Sequence, residues 1–256
     1  MTLPLELGVW GFLIAALATF SIGLAKSALP AAATMPVGVM ALVLPPKVSI
    51  GAILPLLILG DLVALYAYRK TTDWSVLRRL APWVFVGFLI GYAFLDRASS
   101  REVGWVIGVI LIFSSIWELN KKRINLKVLP WDETPGVKKS LTNSVTGVLI
   151  GALSMSANAS GPIMAIYLIK IKLPILIFMG TTSWAFFIIN IAKVPFNVAL
   201  DLITAETLMF GLIMSPLILF GGLWGQKLIK KLDQEKFEKL ALYATLFAGF
   251  LLFIPR

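Results

Sequence analysis

Five polar residues interrupt otherwise apolar runs in this chain, and their types suit the binding of an anion. Lys26 lies in "SIGLAKSALPAAAT", Asp61 in "LPLLILGDLVALYAY", Asn158 in "SMSANASGP", and Asn190 and Lys193 in "FFIINIAKVPFNV". A charged side chain near the centre of a membrane helix costs about 2.5–3.5 kcal/mol on insertion scales, so it normally faces a cavity or a partner. Lys26 is the first candidate to neutralise an anion. Lys193 is the second, with snorkelling to the outer interface as the alternative. Asp61 has three open roles: pairing with a lysine, accepting a coupling proton, or helping to bind a cation. Asn190 precedes Lys193 by three residues, which puts both on one helix face. Asn158 and Asn190 suit oxyanion oxygens, or bridges between helices.

Two proline-containing stretches add backbone chemistry. In "AKSALP" and "SMSANASGP", Pro30 and Pro162 suit the first turn of a helix, where the missing N–H would be orphaned anyway. Ser27, Asn158 and Ser160 are good N-cap types, and Gly161 lets a ligand approach the backbone. Half-helix N-termini expose amides and the positive end of the dipole, which favours anions. The plain alternative is a pair of kinks satisfied by neighbouring helices.

The elements that must hold these residues are membrane helices. Of 256 residues, 59% are hydrophobic and 14% charged, with a mean hydropathy of +0.90; a soluble domain has about 25% charged. Cys and His are both absent. No disulfide, thiolate nucleophile or cysteine metal site is therefore available, and the commonest metal ligand and general base are missing. No metal, other cofactor or nucleic-acid partner is expected, and a serine without a base makes an intramembrane enzyme a weak reading. The start, "MTLPLELGVWGF", lacks a basic n-region and reads as the beginning of the first span.

Apolar runs predict segments at 8–25, 31–44, 48–68, 79–96, 103–119, 141–157, 160–169, 174–193, 206–227 and 238–254. The segments 31–44 and 160–169 are too short to span comfortably and read as broken or re-entrant. The halves align at a shift of 129, which sets Pro45 on Pro174, Gly51 on Gly180 and Asp61 on Asn190; at 134, Gly87 and Gly91 fall on Gly221 and Gly225. Five segments per half make the second half inverted. The predicted fold is thus an all-α polytopic membrane protein of two inverted five-segment repeats, 1–120 and 141–256, joined by a basic cytoplasmic linker at 121–140.

The charges support that orientation. Of 23 Lys and Arg, 18 fall near the loops assigned to the cytoplasm and 5 on the other side, with both termini non-cytoplasmic. Gly87/Gly91, Gly104/Gly108, Gly147/Gly151 and Gly221/Gly225 read first as packing within the bundle and only second as a homodimer face. Trp10, Trp74, Trp83, Trp105, Trp117 and Trp131 near segment ends read as an interfacial belt.

At these residues the chain resembles the sulfite exporter TauE/SafE family of bacterial membrane permeases. The matching stretches are "GLAKSALPAAATMPVGVMALVLPPKVSIGAILPLLILGDLVALYAYRK", "LRRLAPWVFVGFLIG", "SANASGPIMAIYL" and "NIAKVPFN". The resemblance implies an inner-membrane carrier of a small sulfur oxyanion or organosulfonate, with no catalytic residues. The expected function is export by alternating access, with Lys26, Ser27, Pro30, Asn158, Ser160, Gly161, Pro162, Asn190 and Lys193 at the substrate and Asp61 as coupling residue or ion pair. The alternatives are uptake of thiosulfate or another anion coupled to protons or sodium, and a membrane scaffold with no transport cycle.

Overall fold

The computed structural model describes residues 5, 7–28, 34–120, 136–228 and 234–254. Among them the chain forms ten helices: α1 (Val9–Ala28), α2 (Thr34–Val43), α3 (Pro46–Tyr68), α4 (Trp74–Arg97), α5 (Ser100–Asn120), α6 (Gly136–Ala157), α7 (Gly161–Lys170), α8 (Ile175–Ala199), α9 (Ala205–Leu228) and α10 (Gln234–Leu251). Each predicted segment has its helix. Six of them, α1, α3, α4, α5, α8 and α9, contain stretches long and apolar enough to cross a membrane. The protein is an all-α polytopic membrane protein. The ten residues of α2 and of α7 reach about 15 Å, half of a bilayer core. Most of the basic linker, residues 121–135 with Trp131, lies outside the described residues.

Local chemistry explains the helix ends. α4 starts five residues earlier than predicted because Asp73 caps it: the Ser75 amide and hydroxyl donate to its carboxylate at 2.9 and 2.6 Å. Ser99 and Glu102 form a capping box before α5, and Thr204 and Thr207 form its threonine counterpart before α9. α6, α7 and α8 each end at a non-glycine residue in the left-handed region, Asn158 (φ 52°), Lys172 (φ 55°) and Asp201 (φ 53°). After α7 the Leu173 and Lys172 amides return to the Leu168 and Ile169 carbonyls, and after α8 those of Leu202 and Asp201 return to Asn197 and Val198. Both are Schellman closures.

Asp73 offers a direct test of one cap. The hydrogen bonds from Ser75 hold its carboxyl below the usual aspartate range. A folded value below the unfolded one stabilises the fold above the unfolded pKa of about 3.9, and the gain is lost as pH falls through the folded value. Asp73→Ala is expected to cost about 1 kcal/mol at neutral pH. Thermal melts in detergent should show this gap closing as pH falls below the unfolded value.

Packing interleaves the two halves of the chain. α4 lies against α6, α1 against α9, and α5 against α10. Glycines carry the first two crossings: a Cβ on Gly87 would stand 2.2 Å from the Val148 carbonyl oxygen, and one on Gly221 2.3 Å from that of Phe20. Gly108 meets the Gly249 carbonyl across α5 and α10. One hydrophobic core joins α1, α2, α3 and α9, through Ile22, Met40, Ile53 and Phe210. A second lies mainly among α4 to α8, through Phe88, Ile107, Met155 and Tyr167.

The seam between these groups is the pair α3 and α8. Pro45 and Pro174 occupy the N-cap positions of the two helices. Six residues into each, Gly51 and Gly180 receive the loop that follows the opposite helix, and added Cβ atoms there would lie 1.8 Å from the Leu202 oxygen and 2.2 Å from the Thr71 oxygen. Further bonds fasten one of these loops. The Thr71 hydroxyl donates to the Leu176 carbonyl at 2.8 Å, and the Asp73 amide donates to Thr181 Oγ1 at 2.9 Å.

Candidate functional site

The α3–α8 seam sets the depth of the polar residues. Asp61 lies ten residues from both Gly51 and Thr71, and Asn190 lies ten from Gly180. At 1.5 Å per residue this is about 15 Å along the helices from the clasping loops. At that depth Asn190 Nδ2 donates to Asp61 Oδ2 at 2.6 Å. The two residues aligned by the shift of 129 therefore meet each other.

Lys26 reaches the same carboxylate from the last turn of α1, with its Nζ 2.5 Å from Asp61 Oδ1. Gly60 makes room for the lysine stem, since a Cβ there would sit 3.1 Å from Lys26 Cγ. The ammonium also stands 4.8 Å from the centre of the Phe186 ring, a cation–π contact. Each oxygen of Asp61 thus accepts one hydrogen bond, Oδ1 from Lys26 and Oδ2 from Asn190.

Lys193 is buried at 1% exposure. This overturns the snorkelling alternative. α8 continues six residues past the predicted end at 193, because the lysine head turns inward to the break between α6 and α7. There its Nζ donates to Asn158 Oδ1 at 2.5 Å and to the Ser154 carbonyl at 3.1 Å. Asn158 is held in turn, its Nδ2 donating to the Ile50 carbonyl at 3.1 Å. Among the described residues, Lys26 with Asp61 is the one ion pair at this site, and Lys193 faces neutral acceptors.

α7 starts beside this lysine. Ser160 is its N-cap without a side-chain capping bond, and Pro162 lies in its first turn. The amides at such a start, including that of Gly161, have no acceptor within the helix. A cavity of about 60 Å³ joins these groups. About 10–15 Å³ of such space admits one water, so the cavity has room for a small ion. Lys26, Asp61, Asn158, Ser160, Gly161, Asn190 and Lys193 all line it, together with Leu57, Ser154, Met179, Thr182, Ser183 and Phe186. Pro162 is beside the cavity and outside its wall. Ser27 is in α1 but its side chain lies outside the described residues, as does all of Pro30.

The α8 contribution is larger than sequence reasoning anticipated. Met179, Thr182, Ser183, Phe186, Asn190 and Lys193 recur at i, i+3, i+4, i+7, i+11 and i+14, one face of a helix. That spacing was the available signal for Thr182 and Ser183. Thr182 Oγ1 is buried with no hydrogen-bond partner among the described residues, while Ser183 Oγ donates to the Met179 carbonyl. An orphaned hydroxyl, a lysine facing neutral acceptors and a helix start on one small cavity make a place for an anion with several oxygens. No group of three or more His, Cys, Asp or Glu that would hold a metal occurs among the described residues.

Comparison with known proteins agrees with this chemistry. Residues 12–252 match the family model described as sulfite exporter TauE/SafE. No curated protein and no solved structure matches the chain.

Proposed function

Because this chain belongs to the sulfite exporter TauE/SafE family, a family of membrane transporters of sulfur anions, we propose that it is a secondary carrier exporting a small sulfur-containing anion through the cavity between α3 and α8. The observation that carries this reading is Lys193, a fully buried lysine whose two hydrogen bonds go to a carbonyl and an amide oxygen. A buried charge without a counter-charge is costly, and an anion in the cavity supplies one. Asn158, Thr182, Ser160 and the amide of Gly161 would bind its oxygens. Lys26, Asp61 and Asn190 would form the opposite wall.

Orientation follows from charge. Lys26 and Lys193 are committed to the bundle and drop out of the count, which leaves 17 Lys and Arg near the loops assigned to the cytoplasm and 4 on the other side. This supports an inner-membrane protein with both termini outside the cytoplasm. Moving one negative charge outward across 100 mV gains about 2.3 kcal/mol, so export needs no coupling ion. The matching places of Pro45 and Pro174, Gly51 and Gly180, and Asp61 and Asn190 support the two inverted repeats. Since the close glycine crossings join α4 to α6 and α1 to α9, the rocking bodies would each take helices from both repeats, with the α3–α8 seam between them.

Reconstitution in liposomes tests the proposal. Sulfite, thiosulfate and sulfoacetate efflux would be measured with and without imposed potentials and proton or sodium gradients. The expected result is efflux of at least one anion, accelerated by an inside-negative potential and indifferent to sodium. Folded protein that moves none of the three overturns the carrier reading and favours the scaffold.

A further inference from the structure

We propose that the cavity selects singly charged anions, and that Asp61 is the residue that sets this charge; the inference rests on the carrier reading above. Among the residues lining the cavity, Lys26, Lys193 and Asp61 are the ionisable ones. Their formal charges sum to +1. Lys26 and Asp61 neutralise each other across 2.5 Å, and the second carboxylate oxygen is held by Asn190. Only Lys193 remains to be matched. One negative charge on the substrate brings the buried site to neutrality. Two leave it at −1, and a neutral molecule leaves it at +1, each an unpaired charge in a low-dielectric interior.

The same geometry says which side of the cavity tolerates an uncharged substituent. Phe186 and Met179 on α8 and Leu57 on α3 give apolar wall, while Lys193, Asn158 and the α7 start give polar wall. An anion of the form R–SO3⁻, with its oxygens toward α7 and a small R toward Phe186, uses both. A second anionic group in place of R would meet the already engaged carboxylate of Asp61.

Methanesulfonate and thiosulfate are the probes, because both present an SO3 group with one further substituent on sulfur and they differ by one charge. In liposomes the wild-type protein is expected to favour methanesulfonate by more than about tenfold. D61N raises the site to +2 and is expected to reverse that preference toward thiosulfate. K26Q lowers the site to zero and should lose both fluxes. The double variant K26Q/D61N returns the site to +1 with neither member of the pair, and should regain the preference for methanesulfonate. A structural role of the ion pair alone would not produce this rescue. Should D61N fail to fold, the comparison of K26Q with K26Q/D61N carries the test. An unchanged selectivity ratio in D61N, a wild-type preference for thiosulfate, or no gain in the double variant over K26Q overturns the charge rule while leaving the carrier intact. Absence of wild-type flux of every anion, sulfite included, overturns the carrier reading and this inference with it.

Discussion

Lys193→Met is expected to abolish anion flux with little loss of stability. Methionine keeps an unbranched apolar stem in the buried slot and removes the charge. At an effective dielectric of about 20, a unit charge 4 Å from its counter-ion contributes roughly 4 kcal/mol, so loss of binding by a hundredfold or more follows. Stability responds differently. Replacing a buried charge with an apolar group of similar size is often neutral or favourable, because the desolvation cost disappears. Against this, Asn158 Oδ1 loses its donor, at a cost of about 1–3 kcal/mol. The Ser154 carbonyl keeps the Asn158 amide at 3.1 Å. These terms nearly cancel, and the melting temperature should move by only a few degrees. Liposome flux read beside thermal unfolding in detergent checks both halves of the expectation. Flux within about threefold of wild type, a difference under 1 kcal/mol, would remove Lys193 from the site.

Gly51→Ala is expected to be the most damaging single methyl in the protein's central seam. Its Cβ would lie 1.8 Å from the Leu202 oxygen and 2.5 Å from that carbonyl carbon. Both are backbone atoms, so no rotamer change relieves the clash. Either α3 withdraws from the loop after α8, or the Schellman turn at Asp201 opens. The cost should reach about 3 kcal/mol, the upper end for overpacking, and appear as a lost monodisperse peak or a strongly lowered melting temperature. Gly211→Ala is the control, since its Cβ would meet Pro55 Cβ at an ordinary 3.4 Å. That change should stay within about 0.5 kcal/mol. Equal stability of the two variants would show that the seam yields where the geometry says it is rigid.

The residues that sequence reasoning found are those a membrane helix cannot hold cheaply. Lys26, Asp61, Asn158, Asn190 and Lys193 each need a partner at depth, so their presence in apolar runs marked them. The ten helices were legible for a related reason, because uninterrupted apolar length and proline placement decide where spans begin. Thr182 and Ser183 escaped notice because a small hydroxyl satisfies itself inside a helix, as Ser183 does on the Met179 carbonyl. Phe186 and Met179 carry no mark at all within an apolar run. The end of α8 was misplaced because a lysine beside a proline reads as a terminus, and only the tertiary contact with Asn158 removes the reason to stop. Pairing was legible only in outline. The alignment of Asp61 with Asn190 matched positions across the halves, but that the two side chains touch depends on the antiparallel register of α3 and α8.

The interleaving of the halves also orders events during synthesis. α1, α3 and α4 enter the membrane before α6, α8 and α9 exist. The carboxylate of Asp61 already has Lys26 within the first half, so the most expensive group in the early chain is neutralised locally. The glycine faces of α1 and α4 have no such early partner, because Gly23 waits for α9 and Gly87 for α6. Charge is therefore settled during insertion and packing is deferred until translation is nearly complete. A nascent first half is a lipid-exposed intermediate with two open grooves, and its lifetime is set by how fast the ribosome delivers the second. Each hydrophobic core takes residues from both halves, so neither is complete until the second half has been made.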